Sequence, residues 1–425
     1  MTEDLIHYCI EHEKVWCYGA GLYGRHTAIF LAGRGIKIEG FIVSEADGAG
    51  VVLDKEVHQL SDMGDSIAGL GLIICVGKNS FEDVSTLLAG HGITDYFKVI
   101  PEMLTEMELC NRGENLWKFV PDTPLNPVVC IYYHRVAELD SDPWKMAVTP
   151  QEFEWHLKYL KENYNVVKFD YDWTQVTNGS VVLTFDDGYY DFYLNAYPLL
   201  QKYEIPATVF VSTANIGTKR EFWWDRLERI LWHSAKIPDQ IKVSDDYISC
   251  RTDEEIKESL SEIRIRLKED YTHEMRWEFL DELEQKCAGT REMRIEDRTM
   301  NEEELREISE SDFVTVGAHT MTHPALALQK PDICRKEIVG SGKQLEKIIN
   351  KKVDMFSYPF GNYDGRTANM VREAGYLRSR TITPGIITGK TDPMEIPAEN
   401  AGAMSCEELA DYLALTWIFK GDAKF

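Results

Sequence analysis

The chain is short of basic residues, of paired cysteines and of long apolar runs, and each shortage removes a class of protein. Its 46 Lys and Arg face 71 Asp and Glu, a formal charge of −25. A surface of that sign repels phosphate backbones and anionic lipid, so nucleic acid is not an expected partner. No apolar run reaches the roughly 18 residues that span a bilayer. Met1 to Lys14 is polar and acidic, without the basic start and apolar stretch of a secretion signal. A cytoplasmic protein with no transmembrane segment is expected. The nine cysteines are odd in number and widely spaced, with no Cys-x-x-Cys pair, and several, such as Cys75 and Cys130, lie in apolar runs. Buried free thiols are expected rather than a disulfide framework or a Cys-based zinc site. The 29 Gly and 15 Pro are scattered, leaving no low-complexity segment, and no internal repeat is present.

What is there has ordinary globular composition, 44% hydrophobic and 28% charged, in a chain long enough for two domains. The first covers about residues 1–110. Its segment Lys14-Val-Trp-Cys-Tyr-Gly-Ala-Gly-Leu-Tyr-Gly-Arg25 reads as a strand, a glycine turn and a helix start, with Gly19, Gly21 and Gly24 at the G-x-G-x-x-G spacing. Such glycines permit a tight turn and let a phosphate approach the N–H groups of a helix N-terminus. Further strands are expected at Lys37 to Val43, Leu72 to Val76 and Phe97 to Ile100, with helices ending near Gly33 and Leu88. That alternation predicts a parallel, Rossmann-like sheet. The acidic residue that would hold a ribose falls among Ser44, Glu45 and Asp47, none well placed. Binding of NAD or a nucleotide sugar and a purely structural turn both stay open. This half looks like the small Rossmann-like domains attached to sugar-modifying enzymes. An extended connection is expected from near Met103, with the linker at 111–127 marked by Pro121, Pro124 and Pro127.

The second domain, 128–425, carries the chemistry. Val181-Val-Leu-Thr-Phe is a buried-strand pattern that ends in Asp186-Asp187-Gly188. A second strand, Phe313 to Ala318, ends in His319-Thr-Met-Thr-His323. Two imidazoles four residues apart can reach one metal, and a carboxylate from another strand supplies the third ligand of an open site. Val128 to Tyr133 leads into His134-Arg135, and Asp354 to Tyr358 leads into Pro359-Phe-Gly-Asn362. With strands also expected at Val166 to Phe169, Ala207 to Val211 and Ser379 to Ile382, seven or eight strands suit a β/α barrel. In such a barrel the C-terminal strand ends share one pocket.

These residues resemble the polysaccharide deacetylases with a NodB-homology domain, carbohydrate esterase family 4. The matching features are Thr184-Phe-Asp-Asp-Gly188, His319-Thr-Met-Thr-His323 and Ser357-Tyr-Pro-Phe-Gly361. The resemblance implies a distorted barrel in which Asp187, His319 and His323 bind a divalent metal, usually zinc, with cobalt, nickel and ferrous iron as alternatives. It implies Asp186 as general base and, because Ile131-Tyr-Tyr-His-Arg-Val136 precedes the Asp-Asp pair as in the circularly rearranged branch, His134 as general acid. Tyr358 and a backbone N–H near Phe360 are the implied oxyanion contacts. The implied reaction is removal of an N-acetyl group from an amino sugar or glycan precursor, releasing acetate. Two departures stand out. The family's Arg before Tyr-Pro is replaced by Ser357, and the Arg after a Leu-Pro pair by Glu395-Ile-Pro-Ala. Arg378, Arg380 and Arg135 are the candidate substitutes.

An insertion over 213–299 contains the helix pattern Phe222 to Trp232, with Leu227, Ile230 and Leu231 on one face. Trp223 and Trp224 read either as packing or as a sugar-stacking platform. The alternative functions are a catalytically silent protein that binds metal and nucleotide sugar, and a hydrolase of a non-sugar amide. A nicotinamide-dependent oxidoreductase leaves the Asp-Asp and His-x-x-x-His pairs without a use. The oligomeric state is open.

Overall fold

The computed structural model describes residues 2–44, 50–53, 55–67, 69–77, 80–111, 128–173, 180–387, 389–402, 404–410 and 412–413. The chain divides into two compact units, residues 1–127 with 405–425, and residues 128–404. The last stretch therefore groups with the first unit, although the sequence placed it at the end of the second.

In the first unit the strands are β1 (Val15–Tyr18), β2 (Phe41–Val43), β3 (Val51–Val52), β4 (Lys55–Gln59), β5 (Gly71–Ile74) and β6 (Phe97–Lys98), in the order β3-β4-β2-β1-β5-β6. All pairs are parallel except β3 with β4. Alternate residues feed two cores, as a pleated strand requires. Val15, Cys17 and Ile73 pack with Leu5 of α1 (Thr2–Glu11), Phe30 and Leu31 of α2 (Leu22–Ala32) and Met107. Tyr18, Leu72 and Ile74 pack instead with Leu60 of the short α3 (Leu60–Met63) and with Val84 and Leu88 of α4 (Phe81–Gly90). Helices thus cover both faces. The expected extended connection does not begin at Met103. Residues Pro101–Asn111 form α5, because Pro101 suits a first helical turn and Met103, Leu104 and Met107 are buried together. Pro121, Pro124, Pro127, Glu45 and Asp47 lie outside the described residues.

The second unit opens with β7 (Val128–Tyr133), the short β8 (Arg135–Val136) and β9 (Ala147–Val148), α6 (Pro150–Asn163) and β10 (Asn165–Val166). Then follow β11 (Ser180–Phe185), α7 (Tyr197–Tyr203) and β12 (Ala207–Val211). The insertion supplies α8 (Trp223–Trp232), a hairpin of β13 (Gln240–Val243) and β14 (Asp246–Ser249), α9 (Asp253–Glu269) and α10 (His273–Lys286). The chain resumes with α11 (Glu302–Glu310), β15 (Val314–Ala318), α12 (Pro331–Ile349), β16 (Met355–Ser357), α13 (Gly365–Glu373), β17 (Arg378–Arg380) and β18 (Glu399–Asn400). An eight-stranded, all-parallel sheet runs β17-β16-β15-β12-β11-β7-β18, with β10 against the start of β11. Every residue of β7, β11 and β12 is buried, which is why these strands read as unbroken apolar runs.

The sheet is curled but open, with β17 and β18 as its path ends. Four inter-strand spacings separate β17 from β11, roughly 19 Å if flat. Yet Arg380 on β17 grips Asp186 at the end of β11, which side chains of this reach allow only if the sheet bends. The strand ends carrying Asp186, His319 and Ser357 therefore face one hollow.

Candidate active site

The Asp-Asp-Gly turn is held in a conformation that strands do not adopt. Asp187 has φ 70° and Gly188 has φ 78°, and a Cβ on Gly188 would sit 2.8 Å from Val211 Cγ1. Thr320, His323 and Phe360 also have positive φ, so four of the nine such non-glycine residues among the described ones ring this hollow. Backbone strain of this kind persists only where the surroundings impose it. The imposing contacts are visible. Glu337 of α12 accepts from the N–H groups of Met321 and Thr322, both at 2.8 Å, and from the Thr322 hydroxyl at 2.7 Å. Arg135 donates to Asp191 at 2.8 Å and to Asp297 at 2.7 Å, and Asp191 also accepts from Val136 N–H. The loop bearing His134 is thereby tied to the segment that follows Gly188.

Asp187, His319 and His323 offer ligand atoms that all lie within 4.8 Å of one another. Asp187 Oδ1 is 3.6 Å from His319 Nε2 and 3.2 Å from His323 Nε2. His319 Nδ1 lies 2.8 Å from the Ser357 carbonyl, which fixes the proton on that nitrogen and turns the Nε2 lone pair into the cluster. Asp187 Oδ1 is buried with no hydrogen-bond partner. Such an oxygen is costly to bury alone, and a cation is the partner it fits. The carboxylate and two imidazoles match a divalent metal held by three protein ligands with a position left open. Burial lowers His319 to about 4 and His323 to about 3, so both rings are neutral near pH 7, as metal ligands must be. Burial pushes Asp187 up.

Asp186 stands beside the cluster. Burial opposes its charge, but Arg380 and the imidazoles of His319 and His134 outweigh that and hold it at about 2. Arg380, itself fully buried, binds Asp186 Oδ2 and donates to Ser357 Oγ at 2.8 Å. Of the three candidate arginines only this one reaches Asp186. Arg135 serves the two aspartates above, and Arg378 donates to the Phe169 carbonyl and covers Trp173. The reason lies in the register, since Ser357 pairs with Arg380 across β16 and β17. The guanidinium reaches Asp186 from the neighbouring strand, over the small Ser357 side chain that accepts from it. Asp186 Oδ1 is left without a partner.

A pocket of about 250 Å³ contains Asp186, Asp187, His319, His323 and His134, walled by Tyr132, Trp144, Trp224 and Phe360. His134 Nδ1 has no hydrogen-bond partner, and burial lowers the ring's pKa against the pull of Asp187 and Asp186. Phe360 lies 4.4 Å from His323, ring centre to ring centre. Tyr358 is not brought to the pocket. Its hydroxyl donates to the Met394 carbonyl and its N–H to the Arg380 carbonyl. Trp223 and Trp224 are both packed, at 3% exposure. Trp224 nevertheless forms a wall, fixed by its Nε1–H to Tyr189 at 2.8 Å and by stacking on Phe222. Glu337 and Asp191 escaped sequence reasoning, because a lone acidic residue in a helical stretch carries no pattern that marks it as buried.

In the first unit Gly19 and Gly24 are needed for packing. Gly19 has φ 102°, and a Cβ on Gly24 would fall 1.9 Å from the Gly19 carbonyl oxygen. Gly21, at the start of α2, faces open space. Ser44 is hydrogen-bonded to Tyr18 at 2.7 Å.

The fold and site define an Asp-His-His cluster at the strand ends of a parallel α/β sheet. Residues 174–378 match the family described as polysaccharide deacetylase. A Bacillus subtilis protein, YxkH, named as a polysaccharide deacetylase, is 21% identical over 262 residues, which is 60% of this chain and 64% of that protein. The poly-beta-1,6-N-acetyl-D-glucosamine N-deacetylase of Staphylococcus epidermidis is 30% identical over 112 residues, covering 22% of this chain and 38% of the relative. The chain thus spans less than two thirds of the length of either curated relative. Among solved structures, a Bacillus cereus polysaccharide deacetylase matches with TM-score 0.46 and 20% identity, over 68% of this chain and 70% of that one. The Streptococcus pyogenes deacetylase PplD, in complex with acetate, matches with TM-score 0.44 and 19% identity, over 67% and 97%.

Proposed function

We propose that the second unit is a metal-dependent N-deacetylase that hydrolyses the acetamide of an amino sugar or glycan precursor. The observation that carries this reading is the buried Asp187, His319 and His323 cluster, its ligand atoms within 4.8 Å, with an ionised Asp186 beside it. The family match and the Staphylococcus relative support a glycan substrate. Asp187, His319 and His323 would hold a divalent cation, zinc by preference for this N/O donor set, which would supply Lewis acidity and make a water beside it more acidic.

The protein's own groups do the proton work. Asp186 Oδ1, unpartnered and adjacent, takes a proton from the attacking water, while Arg380 on Oδ2 keeps the carboxylate ionised and oriented. His134, neutral at rest, takes a proton from solvent and delivers it to the amide nitrogen as the C–N bond breaks, so that the sugar amine and acetate leave. Phe360 and the Trp224 wall exclude water from the remaining side of the pocket. Arg380 beside Asp186, where the motif lacks its arginine, supports an active enzyme over the catalytically silent alternative.

We read the first unit as Rossmann-like, on its strand order and on the packing roles of Gly19 and Gly24, with a nucleotide sugar as the ligand that suits Gly21. Action in the cytoplasm is part of the reading, and free thiols such as the buried Cys17, Cys75, Cys130 and Cys334 fit a reducing compartment. The test is acetate release from N-acetylglucosamine oligomers by zinc-loaded protein. Activity is expected to fall roughly 10²- to 10⁴-fold in Asp186→Asn, the range for loss of a general base. An Asp186→Asn variant as active as the parent would refute the assignment.

A further inference from the structure

Two lining residues of the pocket belong to the insertion. Arg264 and Lys268 sit four positions apart on α9, hence on one helix face. Arg266, between them in sequence, is paired, binding Asp246 at 2.6 Å and Glu262 at 3.0 Å. Arg264 and Lys268 have no carboxylate partner among the described residues. The Arg264 guanidinium lies 4.5 Å from the centre of the Trp144 ring, and its Nε is buried without a hydrogen-bond partner. Lys268 Nζ stands 5.1 Å from the centre of the Phe360 ring.

This placement is built. Arg276 of α10, 1% exposed, donates to the carbonyls of Leu267 and Lys268 at 2.6 and 3.1 Å and so fixes the last turn of α9. Around the reacting centre Asp186 and Asp187 are outnumbered by Arg380, Arg264 and Lys268 even before a metal is added. That excess of positive charge occurs in a chain of net charge −25. A half-buried cation without a counter-ion costs stability, and the fold does not use these two for an ion pair. Their complement therefore comes from outside the chain.

We propose that the N-acetylated sugar taken by this pocket carries an oxyanion substituent, a phosphate or a carboxylate, that docks on Arg264 and Lys268. The proposal rests on the deacetylase reading for the acetamide end of the substrate, but the anion's docking is separable from turnover. A planar guanidinium offers paired N–H groups to either oxyanion, and the ammonium adds a point charge.

The test uses zinc-loaded full-length protein and calorimetric titration with N-acetylglucosamine, its 1-phosphate, its 6-phosphate and its 6-carboxylate (the uronic acid). At least one charged sugar is expected to bind roughly tenfold or more tightly than the neutral one, with the preference shrinking as salt rises. Which one does so distinguishes phosphate from carboxylate. In Arg264→Gln/Lys268→Gln the affinities should converge, and Lys268→Gln alone, at a partly exposed residue, repeats the trend should the double variant not fold. Equal binding of neutral and charged sugars, or a preference that survives the double substitution, overturns the proposal. Acetate assays on the same sugars report on the deacetylase reading separately. Anion preference without acetate release keeps this inference and sinks that reading, and acetate release without preference does the reverse.

Discussion

At the scale of single residues the site turns on which side chains have no partner inside the protein. Asp187 Oδ1 and Asp186 Oδ1 are buried without a hydrogen-bond partner, as the proposed metal ligand and the proposed base require. The gathering of Asp187, His319 and His323 at one place was legible in the sequence because carboxylate and imidazole residues fell at the ends of buried strands. Arg380 was not singled out, since register between two strands determines which of three arginines reaches Asp186. Tyr358 was misplaced for a related reason, as a motif gives the order of residues but not the direction of each side chain. Arg380→Gln should leave a buried carboxylate without its cation and destabilise the protein by roughly 3–5 kcal/mol. The same change should raise the Asp186 pKa from its value of about 2 and move the acid limb of the pH–rate profile upward. Denaturant unfolding and a pH profile check both, and an unchanged profile would remove Arg380 from its positioning role.

At the scale of elements the buried parallel strands were the easiest to read. Val128–Tyr133 and Ala207–Val211 have the bounds expected from their apolar runs. The hairpin of β13 and β14 went unseen, although Ile241 and Val243 alternate with exposed residues, because a four-residue strand between charged helices is a weak signal. Leu227, Ile230 and Leu231 of α8 are buried as their spacing requires. The turn after β11 is the element most sensitive to substitution. Gly188→Ala would force a Cβ against Val211 at a positive φ, and a loss of roughly 1–3 kcal/mol is expected. A thermal melt decides it, and a variant as stable as the parent would show the strain to be absent.

At the scale of the whole molecule, the division after residue 404 was hidden because nothing in the local pattern marks it. Acid sensitivity belongs at this scale. In the metal-free protein His319 and His323 titrate at about 4 and about 3, below the 6.5 of an unperturbed imidazole. The unfolded chain therefore binds protons first as pH falls. Their contribution to stability is full above about 6.5 and is lost as pH drops toward 4. Unfolding free energies of metal-stripped protein at about pH 7 and about pH 5 should show that loss. It should be smaller in His319→Ala/His323→Ala, and an equal slope in both proteins would place the sensitivity elsewhere.

The cluster's metal can be measured without knowing the substrate. Elemental analysis of the full chain, reconstituted with zinc and dialysed, is expected to give about one equivalent of metal per chain. That equivalent should be lost in His319→Ala/His323→Ala. A protein that takes up no metal, or a double variant that keeps it, would contradict the assignment of Asp187, His319 and His323 as the metal centre.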